Sequence, residues 1–321
     1  MKADSGTRLV DVDHLTKAFG SVAAVNGVSF HVNRGEVLGF LGPNGAGKST
    51  TMKMITGYLS PTSGTARIGG ADVRTQPRAV KARIGYLPEG APLYGDMTPE
   101  AYLDFSAQVR GLDGEQRKRR VEEVIKQLQL NEVLRRRIET LSKGFKRRLG
   151  LAQALVHDPE VLILDEPTDG LDPNQKHAVR QLINEIKPNK AIVISTHLLE
   201  EVDAICDRAI IIDHGVLVGE GTPAELRARA ENHNAVAIQL PTHIGPKAAK
   251  IIAAMPQIER VVPTAHGAMM HLTAYPKGHE FAADIVAAKL RADGIEFQEL
   301  HTEAGRLDLV FRQLTIQRQN A

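Results

Sequence analysis

The chain has 321 residues, of which 42% are hydrophobic and 24% are charged, a composition typical of a folded protein with a substantial core. Its formal net charge of +2 is too small to indicate, by itself, binding to nucleic acid or to an anionic membrane. Its apolar runs are short, as in Val161–Leu164, whereas a membrane-spanning helix needs ~18–20 apolar residues, so no membrane-spanning helix is expected.

The beginning of the chain and its cysteine content indicate a cellular compartment. The first six residues lack the apolar core of a signal peptide, and the single cysteine, Cys206, cannot form an internal disulfide. We therefore expect a soluble protein of a reducing compartment, which contacts a membrane only through a partner. Cys206 follows the apolar helical stretch Leu198–Ile205 and is expected to be a buried core residue.

Residues 8–40 predict short strands separated by turns. The pairs Asn26-Gly27 and Arg34-Gly35 are typical turn formers and mark the expected breaks. Glu36–Leu41 predicts a buried strand that leads into a glycine-rich stretch, and a helix is expected over Thr51–Thr56.

The middle of the chain predicts helices followed by strands. Residues 98–155 are expected to be largely helical, and the apolar residues between Val121 and Leu128 recur on one helical face. Three strand-like runs follow, separated by helical stretches, and this alternation predicts a mostly parallel sheet with helices on its faces. The three runs are Val161–Leu164, Ala191–Ser195 and Ala209–Asp213.

The character of the sequence changes after residue 223, where a short helix leads into a polar break at residues 231–234. We place a domain boundary there, which predicts a first domain of residues 1–230 and a C-terminal domain of residues 231–321. The second is predicted to be a small α/β domain with a split βαβ arrangement. Its expected strands are residues 235–240, 258–263, 268–275 and 297–300, and its expected helical stretches are residues 246–255, 281–293 and 307–314.

The glycine-rich stretch carries the clearest chemical motif. Gly42–Ser49 matches the pattern G-x-x-x-x-G-K-[ST] between an expected strand and an expected helix. The pattern is typical of a P-loop, in which glycines let consecutive backbone N–H groups surround a phosphate at a helix N-terminus. Lys48 would then contact the β- and γ-phosphates of a nucleotide, and the Ser49 hydroxyl would bind Mg²⁺.

Two acids at the end of an apolar strand, Asp165 and Glu166, are expected to supply the second half of the site. Ligands of parallel α/β sheets bind at the carboxyl ends of the strands, where Asp165 would lie. Asp165 would hold Mg²⁺ through water, and Glu166 could polarise the attacking water. Taken alone, such acids are more often a solvated strand end, and it is the presence of the P-loop that favours the functional interpretation.

Further motifs stand in a fixed order around these residues, and together they resemble the nucleotide-binding domain of the ABC ATPase family over about residues 9–226. Leu141–Phe145 resembles the signature motif of that family, and Asp169–Asp172 resembles its D-loop. His197 resembles the switch histidine, and Phe19 stands where the family stacks an aromatic ring on adenine.

This resemblance implies a P-loop cassette with a mostly parallel core sheet, an antiparallel β subdomain and a helical subdomain. It implies ATP and Mg²⁺ as ligands. It also implies a homodimer with two composite sites, because in the family each ATP lies between one subunit's P-loop and the other's signature motif. The implied catalytic residues are Glu166, His197 and Lys48. The implied nucleotide-binding residues are Phe19, Gly42, Pro43, Asn44, Gly45, Ala46, Gly47, Lys48, Ser49, Thr50, Ser142 and Gly144, and the implied metal-binding residues are Ser49, Asp165 and Glu89.

Three of these residues have simpler interpretations. Phe19 could serve only to pack the small sheet, and His197 could be a core histidine whose hydrogen bonds are satisfied. Ser142 could be a helix N-cap, the position where serine is preferred, although capping and phosphate recognition are compatible.

The sequence departs from the family pattern in two places. The signature motif has Lys143 and Phe145 where glycine and glutamine are usual, so we expect phosphate recognition by Ser142 and Gly144 to persist beside an added charge. Glu89 occupies the place of the Q-loop glutamine. Because a carboxylate is a harder, charged oxygen ligand for Mg²⁺, Glu89 is expected to strengthen metal or water binding and to alter the signal to the permease.

Three segments are similar to the branch that contains gliding-motility, drug-resistance and copper-processing exporters: Tyr86–Tyr94, Leu141–Gly144 and Leu307–Thr315. The similarity implies an exporter with a separate transmembrane permease, and a chain that lies on the cytoplasmic face of the cell membrane. A segment from about Glu89 to Phe105 is implied to dock on the permease. The C-terminal domain could serve dimer contact, permease docking or regulation.

Two alternatives stay open. A non-transport ABC ATPase acting on nucleic acid or the ribosome typically has a long coiled-coil insertion or a second cassette, and this sequence has neither. A module that binds ATP without hydrolysing it is disfavoured by the intact catalytic residues. The basic runs Arg117–Arg120 and Arg135–Arg137 have no interleaved aromatics, and the first is expected to be a solvated helix start rather than a nucleic-acid patch.

Overall fold

The computed structural model describes residues 8–279 and 282–316. The chain forms two compact units, the first ending at Pro223 and the second beginning at Ala224. The predicted boundary after residue 230 lies a few residues inside the second unit, beyond a short helix over Pro223–Arg227.

The first unit contains two sheets and several helices. Its strands in chain order are β1 (Arg8–Phe19), β2 (Val22–Asn33), β3 (Val37–Leu41), β4 (Ser63–Ile68), β5 (Ala71–Asp72), β6 (Ile84–Leu87), β7 (Val161–Asp165), β8 (Ala191–Thr196), β9 (Arg208–Asp213) and β10 (Val216–Gly221). Its helices are α1 (Lys48–Ile55), α2 (Pro77–Arg83), α3 (Pro99–Val109), α4 (Gly114–Gln127), α5 (Lys143–Leu155), α6 (Pro173–Ile186) and α7 (Leu199–Ile205), and the helix over Pro223–Arg227 is α8.

A six-stranded sheet in the order β10-β9-β3-β8-β7-β6 forms the centre of this unit. All its strand pairs are parallel except the hairpin of β9 and β10. Every residue of β3, β7 and β8 is buried, as expected for parallel strands with both faces covered. The prediction of a mostly parallel sheet is confirmed.

A second, antiparallel sheet has the order β2-β1-β4-β5. The prediction of short strands was wrong here, since β1 and β2 each run for 12 residues. The expected break at Asn26-Gly27 lies inside β2. Gly27 has a φ of +64°, and the register with β1 shifts on either side of it. Such bulges bend and twist a strand without ending it, which explains why the turn signal was misleading.

The stretch predicted as helical contains three α-helices, α3, α4 and α5, and two single-turn 3-10 helices at Asn131–Val133 and Ile138–Thr140. Thr98 caps α3 by accepting a hydrogen bond from the Ala101 N–H at 3.3 Å. Helix α4 buries Val121, Val124 and Ile125, which lie on the apolar face seen in the sequence. In the basic run at its start, the Arg117 guanidinium lies 2.9 Å from the Asp104 carboxylate of α3.

The second unit has the split βαβ arrangement. Its sheet has the order β12-β13-β11-β14 with all pairs antiparallel, and its buried apolar residues form a separate core. Phe281, placed in the sequence at the start of a helix, lies outside the described residues. The elements are β11 (Val236–Pro241), α9 (Gly245–Ala253), β12 (Ile258–His266), β13 (Met269–Pro276), α10 (Ala283–Ala292), β14 (Glu299–Thr302) and α11 (Leu307–Ile316).

Two further predictions from the sequence concern membrane-spanning helices and the burial of Cys206. Within residues 8–279 and 282–316, none of the helices combines the length and apolar character needed to cross a membrane. Cys206 is buried, as predicted, and burial raises the pKa of its thiol to about 12. The thiol is therefore an inert core group at neutral pH.

Candidate functional site

The P-loop connects β3 to α1, and its glycines are needed for two physical reasons. Gly47 has a φ of +104°, and a Cβ there would lie 2.5 Å from the Ala24 carbonyl oxygen. A Cβ at Gly42 would lie 2.5 Å from the Ile212 carbonyl oxygen. Any other residue at either position would have to displace backbone from a neighbouring strand or loop, so the tight curl of this loop depends on glycine.

Lys48 places a buried ammonium group inside this loop. Its Nζ donates hydrogen bonds to the carbonyl oxygens of Gly42 at 2.7 Å and Pro43 at 3.1 Å. Burial lowers the pKa of Lys48, and the negative charges of Glu166 and Asp165 oppose this shift. A buried cation whose hydrogen-bond partners are neutral carbonyls is well suited to receive an anionic ligand such as a phosphate.

Asp165 ends β7 with a carboxylate that is 1% exposed. The Ser195 hydroxyl of β8 donates a hydrogen bond to its Oδ1, whereas Oδ2 is buried without a partner among the described residues. A buried, unpartnered carboxylate oxygen fits a metal ligand, and Mg²⁺ in nucleotide sites is typically held by one or two carboxylates together with phosphates. In the described part of the chain, no three His, Cys, Asp or Glu side chains form a complete metal site by themselves.

Glu166 and His197 contact each other at the carboxyl ends of β7 and β8. The His197 Nδ1 lies 3.0 Å from Oε1 and 2.9 Å from Oε2 of Glu166. Because a carboxylate only accepts, Nδ1 is the donor, which leaves Nε2 facing away from the contact. Glu166 has a φ of +52°, and its N–H donates to the Ser195 carbonyl oxygen at 3.1 Å.

Lys48, Asp165 and Glu166 line one cavity of about 320 Å³, which we call the P-loop cavity, whereas His197 is not part of its lining. Glu89, from the segment after β6, also lines this cavity, as its predicted role in the site requires. Ala24 was not among the predicted site residues, because an alanine within a strand carries no chemical signal. The cavity is lined by Ala24, Asn44, Gly45, Gly47, Lys48, Ser49, Thr50, Glu89, Asp165 and Glu166.

Ser142 and Gly144 do not line the P-loop cavity of their own chain. Ser142 caps α5 by accepting a hydrogen bond from the Phe145 N–H at 3.3 Å. Gly144 lies against the side chain of Gln175 on α6, which a Cβ would overlap. The signature motif and the P-loop cavity are therefore separate features of one chain.

Phe19 also lies outside the P-loop cavity. It ends β1, is 53% exposed, and its ring centroid lies 5.3 Å from the Nζ of Lys17. Because the ring is largely exposed, it contributes little to the packing of the sheet. Its burial therefore does not support the interpretation that Phe19 serves only to pack the small sheet.

Arg147 of α5 is a charged neighbour of the site that sequence reasoning missed. It is 5% exposed, and its Nη1 donates to the Pro88 carbonyl oxygen at 3.4 Å. Burial lowers the pKa of Arg147, and the negative charges of Asp169 and Glu166 oppose this. In the sequence, Arg147 is one of several basic residues on a helix, and nothing there distinguishes it as buried.

Comparisons with known proteins agree with this geometry. The family model described as "ABC transporter" matches residues 25–169. The chain is 33% identical to the linearmycin resistance ATP-binding protein LnrL of Bacillus subtilis (strain 168), over 96% of this chain and 98% of that protein. It is 39% identical to the Nod factor export ATP-binding protein I of Paraburkholderia xenovorans (strain LB400), over 68% of this chain and 72% of the relative.

A solved structure shows the same fold. The ATP-binding subunit of an ABC transporter superposes with a TM-score of 0.65 at 32% identity, over 69% of this chain and 92% of that chain. The fold expected from the sequence, an ABC cassette of the P-loop class, is therefore confirmed for the first unit.

Proposed function

The chain belongs to the ABC transporter ATP-binding proteins, and we propose that it hydrolyses ATP as a dimer to power a separate membrane permease that works as an exporter. The observation that carries this proposal is the P-loop cavity. It is lined by the buried Lys48, by Asp165 with its unpartnered carboxylate oxygen and by Glu166. His197 contacts Glu166 from outside the cavity lining.

The proposed reaction is attack of water on the γ-phosphate of ATP. Lys48 would leave its carbonyl partners to contact the β- and γ-phosphates, and Glu166 would orient and polarise the water. His197 would present Nε2 to the γ-phosphate while Nδ1 holds Glu166 in place. Ser49, Asp165 and Glu89 would hold Mg²⁺, which supplies charge neutralisation at the phosphate oxygens.

The proposed dimer follows from the separation of the signature motif and the P-loop cavity. In one chain, Ser142 and Gly144 lie outside the cavity that Lys48 and Glu166 line. A second copy could bring its own Ser142 and Gly144 to the γ-phosphate, so two copies would complete two sites. ATP binding would close this dimer and hydrolysis would open it.

A groove of about 510 Å³ supports the proposed docking of a permease. It is lined by exposed aromatic side chains, with Tyr58 63%, Tyr94 61% and Phe105 42% exposed. Tyr94 and Phe105 belong to the segment expected to contact the permease, and their ring centroids lie 6.1 Å apart. Clustered exposed aromatics are typical of a protein–protein contact. Docking there would hold the chain on the cytoplasmic face of the membrane.

The direction of transport is proposed from the relatives. One relative is named for resistance to linearmycin, and another is named for export of Nod factor, so the second name describes transport out of the cell. The narrower similarity of Tyr86–Tyr94 and Leu141–Gly144 to exporter sequences supports the same direction.

The Glu166→Gln variant tests the proposed ATPase. The wild-type protein should release phosphate from ATP in the presence of Mg²⁺, while the variant should bind ATP, elute as a dimer and release little phosphate. Light scattering with ATP and Mg²⁺, with ATP and EDTA, and with ADP measures the dimer. Glu185→Gln makes the same change on the exposed face of α6 and should behave as wild type. Normal phosphate release by Glu166→Gln would remove Glu166 from its proposed role.

A further inference from the structure

Glu201 is a buried carboxylate that does not line the P-loop cavity. It lies on α7 and is 1% exposed. Its Oε1 accepts a hydrogen bond from the Thr168 hydroxyl, and its Oε2 accepts one from the Thr196 hydroxyl at 2.9 Å. The two oxygens of one carboxylate therefore join two threonines that are far apart in the sequence.

Each threonine belongs to a segment that carries a proposed catalytic residue. Thr168 follows Glu166 by two residues, and Thr196 directly precedes His197. The Thr196 hydroxyl also accepts the Leu198 N–H at 3.0 Å, which fixes the backbone on the other side of His197. Glu201 is thus bound to both segments whose side chains meet in the contact between His197 and Glu166.

The surroundings of Glu201 show that its burial is unfavourable in itself. Burial raises the pKa of Glu201, and so does the negative charge of Glu166. The Thr196 hydroxyl and the positive charges of Lys176 and Arg180 on α6 oppose that rise. Desolvating an acid is costly compared with packing an apolar side chain of similar volume, so packing alone gives no reason for a carboxylate here.

We propose that Glu201 is a positioning residue for ATP hydrolysis, which holds the segment carrying Glu166 and the segment carrying His197 at a fixed separation through Thr168 and Thr196. The inference rests on the proposed ATPase function and extends it to residues that do not touch the nucleotide. Glu201 acts on geometry only, so cutting its bonds should lower the rate of hydrolysis and leave ATP affinity nearly unchanged.

Threonine-to-valine variants test the two bonds, because valine keeps the shape and removes the hydroxyl. Thr168→Val and Thr196→Val should each lower kcat roughly tenfold while the Kd for ATP changes less than about twofold. Thr168→Ser and Thr196→Ser keep a hydroxyl and should recover most of the rate. Thr56→Val removes a buried hydroxyl that donates to the Met52 carbonyl oxygen, away from these segments, and should leave kcat unchanged.

The double variant Thr168→Val/Thr196→Val distinguishes a bridge from two independent contacts. If Glu201 acts by joining the segments, cutting the second bond adds little, and kcat should lie within about threefold of the lower single variant. Losses that multiply, or serine variants as slow as the valine variants, would overturn the proposal.

Hydrogen exchange gives a second readout that does not depend on turnover. Glu201→Gln should increase amide exchange in both the peptide containing Glu166 and the peptide containing His197, and Thr56→Val should increase neither. Unchanged exchange in both peptides of the Glu201→Gln variant would overturn the positioning role. A wild-type protein that does not hydrolyse ATP would instead refute the proposed function, and the exchange result would still decide the role of Glu201.

Discussion

Replacing Ser195 with alanine should destabilise the first unit more than an ordinary loss of a buried hydroxyl. Ser195 is fully buried, and its Oγ is the donor to Asp165 Oδ1. Because Asp165 Oδ2 has no partner in the described structure, Ser195→Ala leaves a buried carboxylate with neither oxygen hydrogen-bonded by a side chain. Hydrogen bonds to charged groups contribute about 1.5–3 kcal/mol, so we expect a loss of about 2–3 kcal/mol in the free energy of unfolding.

Ser106→Ala is the matched control for this change. Ser106 is 8% exposed, and its hydroxyl donates to the neutral Tyr102 carbonyl oxygen at 2.7 Å within α3. Losing such a bond costs about 1 kcal/mol, and the higher helix propensity of alanine offsets part of that cost. Ser195 Oγ also accepts a hydrogen bond from the Glu166 N–H at 3.2 Å, but that N–H keeps the Ser195 carbonyl oxygen as a partner in the variant. The two variants remove the same atoms and differ mainly in the charge of the acceptor.

Urea unfolding of both variants measures the difference. The chain contains no tryptophan, so far-UV circular dichroism is the suitable signal. The slope of the free energy against urea should be the same in the two variants, and the midpoint should be lower for Ser195→Ala. If the two variants lose the same free energy within about 0.5 kcal/mol, the charged hydrogen bond to Asp165 does not have the role that its geometry indicates.

Three other predictions follow from the same structure. Gly47→Ala should abolish detectable ATP binding in calorimetry because its Cβ would lie 2.5 Å from the Ala24 carbonyl oxygen. Gly45→Ala also places a Cβ at a positive φ, +81°, but no atom lies within 4 Å of that Cβ, so this variant should weaken binding less, and equal losses would contradict the role of the clash. Burial lowers the pKa of His157 from 6.5 to about 4, so the unfolded chain takes up this proton more readily than the folded protein, and stability should fall as the pH drops from 6.5 towards 4. Protonation of His157 in the unfolded chain should lower the free energy of unfolding by about 2 kcal/mol at pH 5. In urea titrations, the free energy of unfolding of His157→Gln should therefore depend less steeply on pH than that of the wild type. An equally steep dependence would refute the role of His157. Glu89→Gln should raise the Mg²⁺ concentration needed for half-maximal phosphate release several-fold, and unchanged Mg²⁺ dependence together with unchanged permease-stimulated turnover would exclude Glu89 from the metal site.

The central sheet could be predicted from the sequence because its strands are short apolar runs. The runs beginning at Val161, Ala191 and Ala209 are β7, β8 and β9 with bounds that differ by one residue at most. Burial on both faces gives such strands a continuous apolar signal, and the helices between them give a period of 3.6. The P-loop motif then indicated which end of this sheet carries the site.

The length of β2 could not be predicted, because Asn26-Gly27 is a strong local turn signal. Tertiary pairing of β2 with β1, together with the positive φ of Gly27, accommodates the pair as a bulge. The hydrogen bonds of the long antiparallel ladder therefore outweighed the local turn propensity of this pair.

The supporting residues of the site were missed for a different reason. The contacts of Ser195 with Asp165 and of Glu201 with Thr168 join positions 30 and 33 residues apart. Arg147 meets the Pro88 carbonyl oxygen across 59 residues. The spacing of these pairs does not follow a helix or strand period, so one sequence gives no sign that the two residues meet. Their contacts depend on which strands become neighbours in the fold.

The most direct test of the proposed function is to capture the partner of the trapped dimer. Tagged Glu166→Gln protein would be held with ATP and Mg²⁺, purified from detergent-solubilised membranes of its own cells, and its companions identified by mass spectrometry. Untagged Glu166→Gln protein, treated in the same way, is the control for adventitious binding. We expect a membrane protein with several membrane spans in stoichiometric amount, and its capture should be weakened by replacing the exposed Tyr94 with alanine. A soluble protein, ribosomal particles or nucleic acid in its place, with no membrane protein enriched, would contradict the assignment to a transporter.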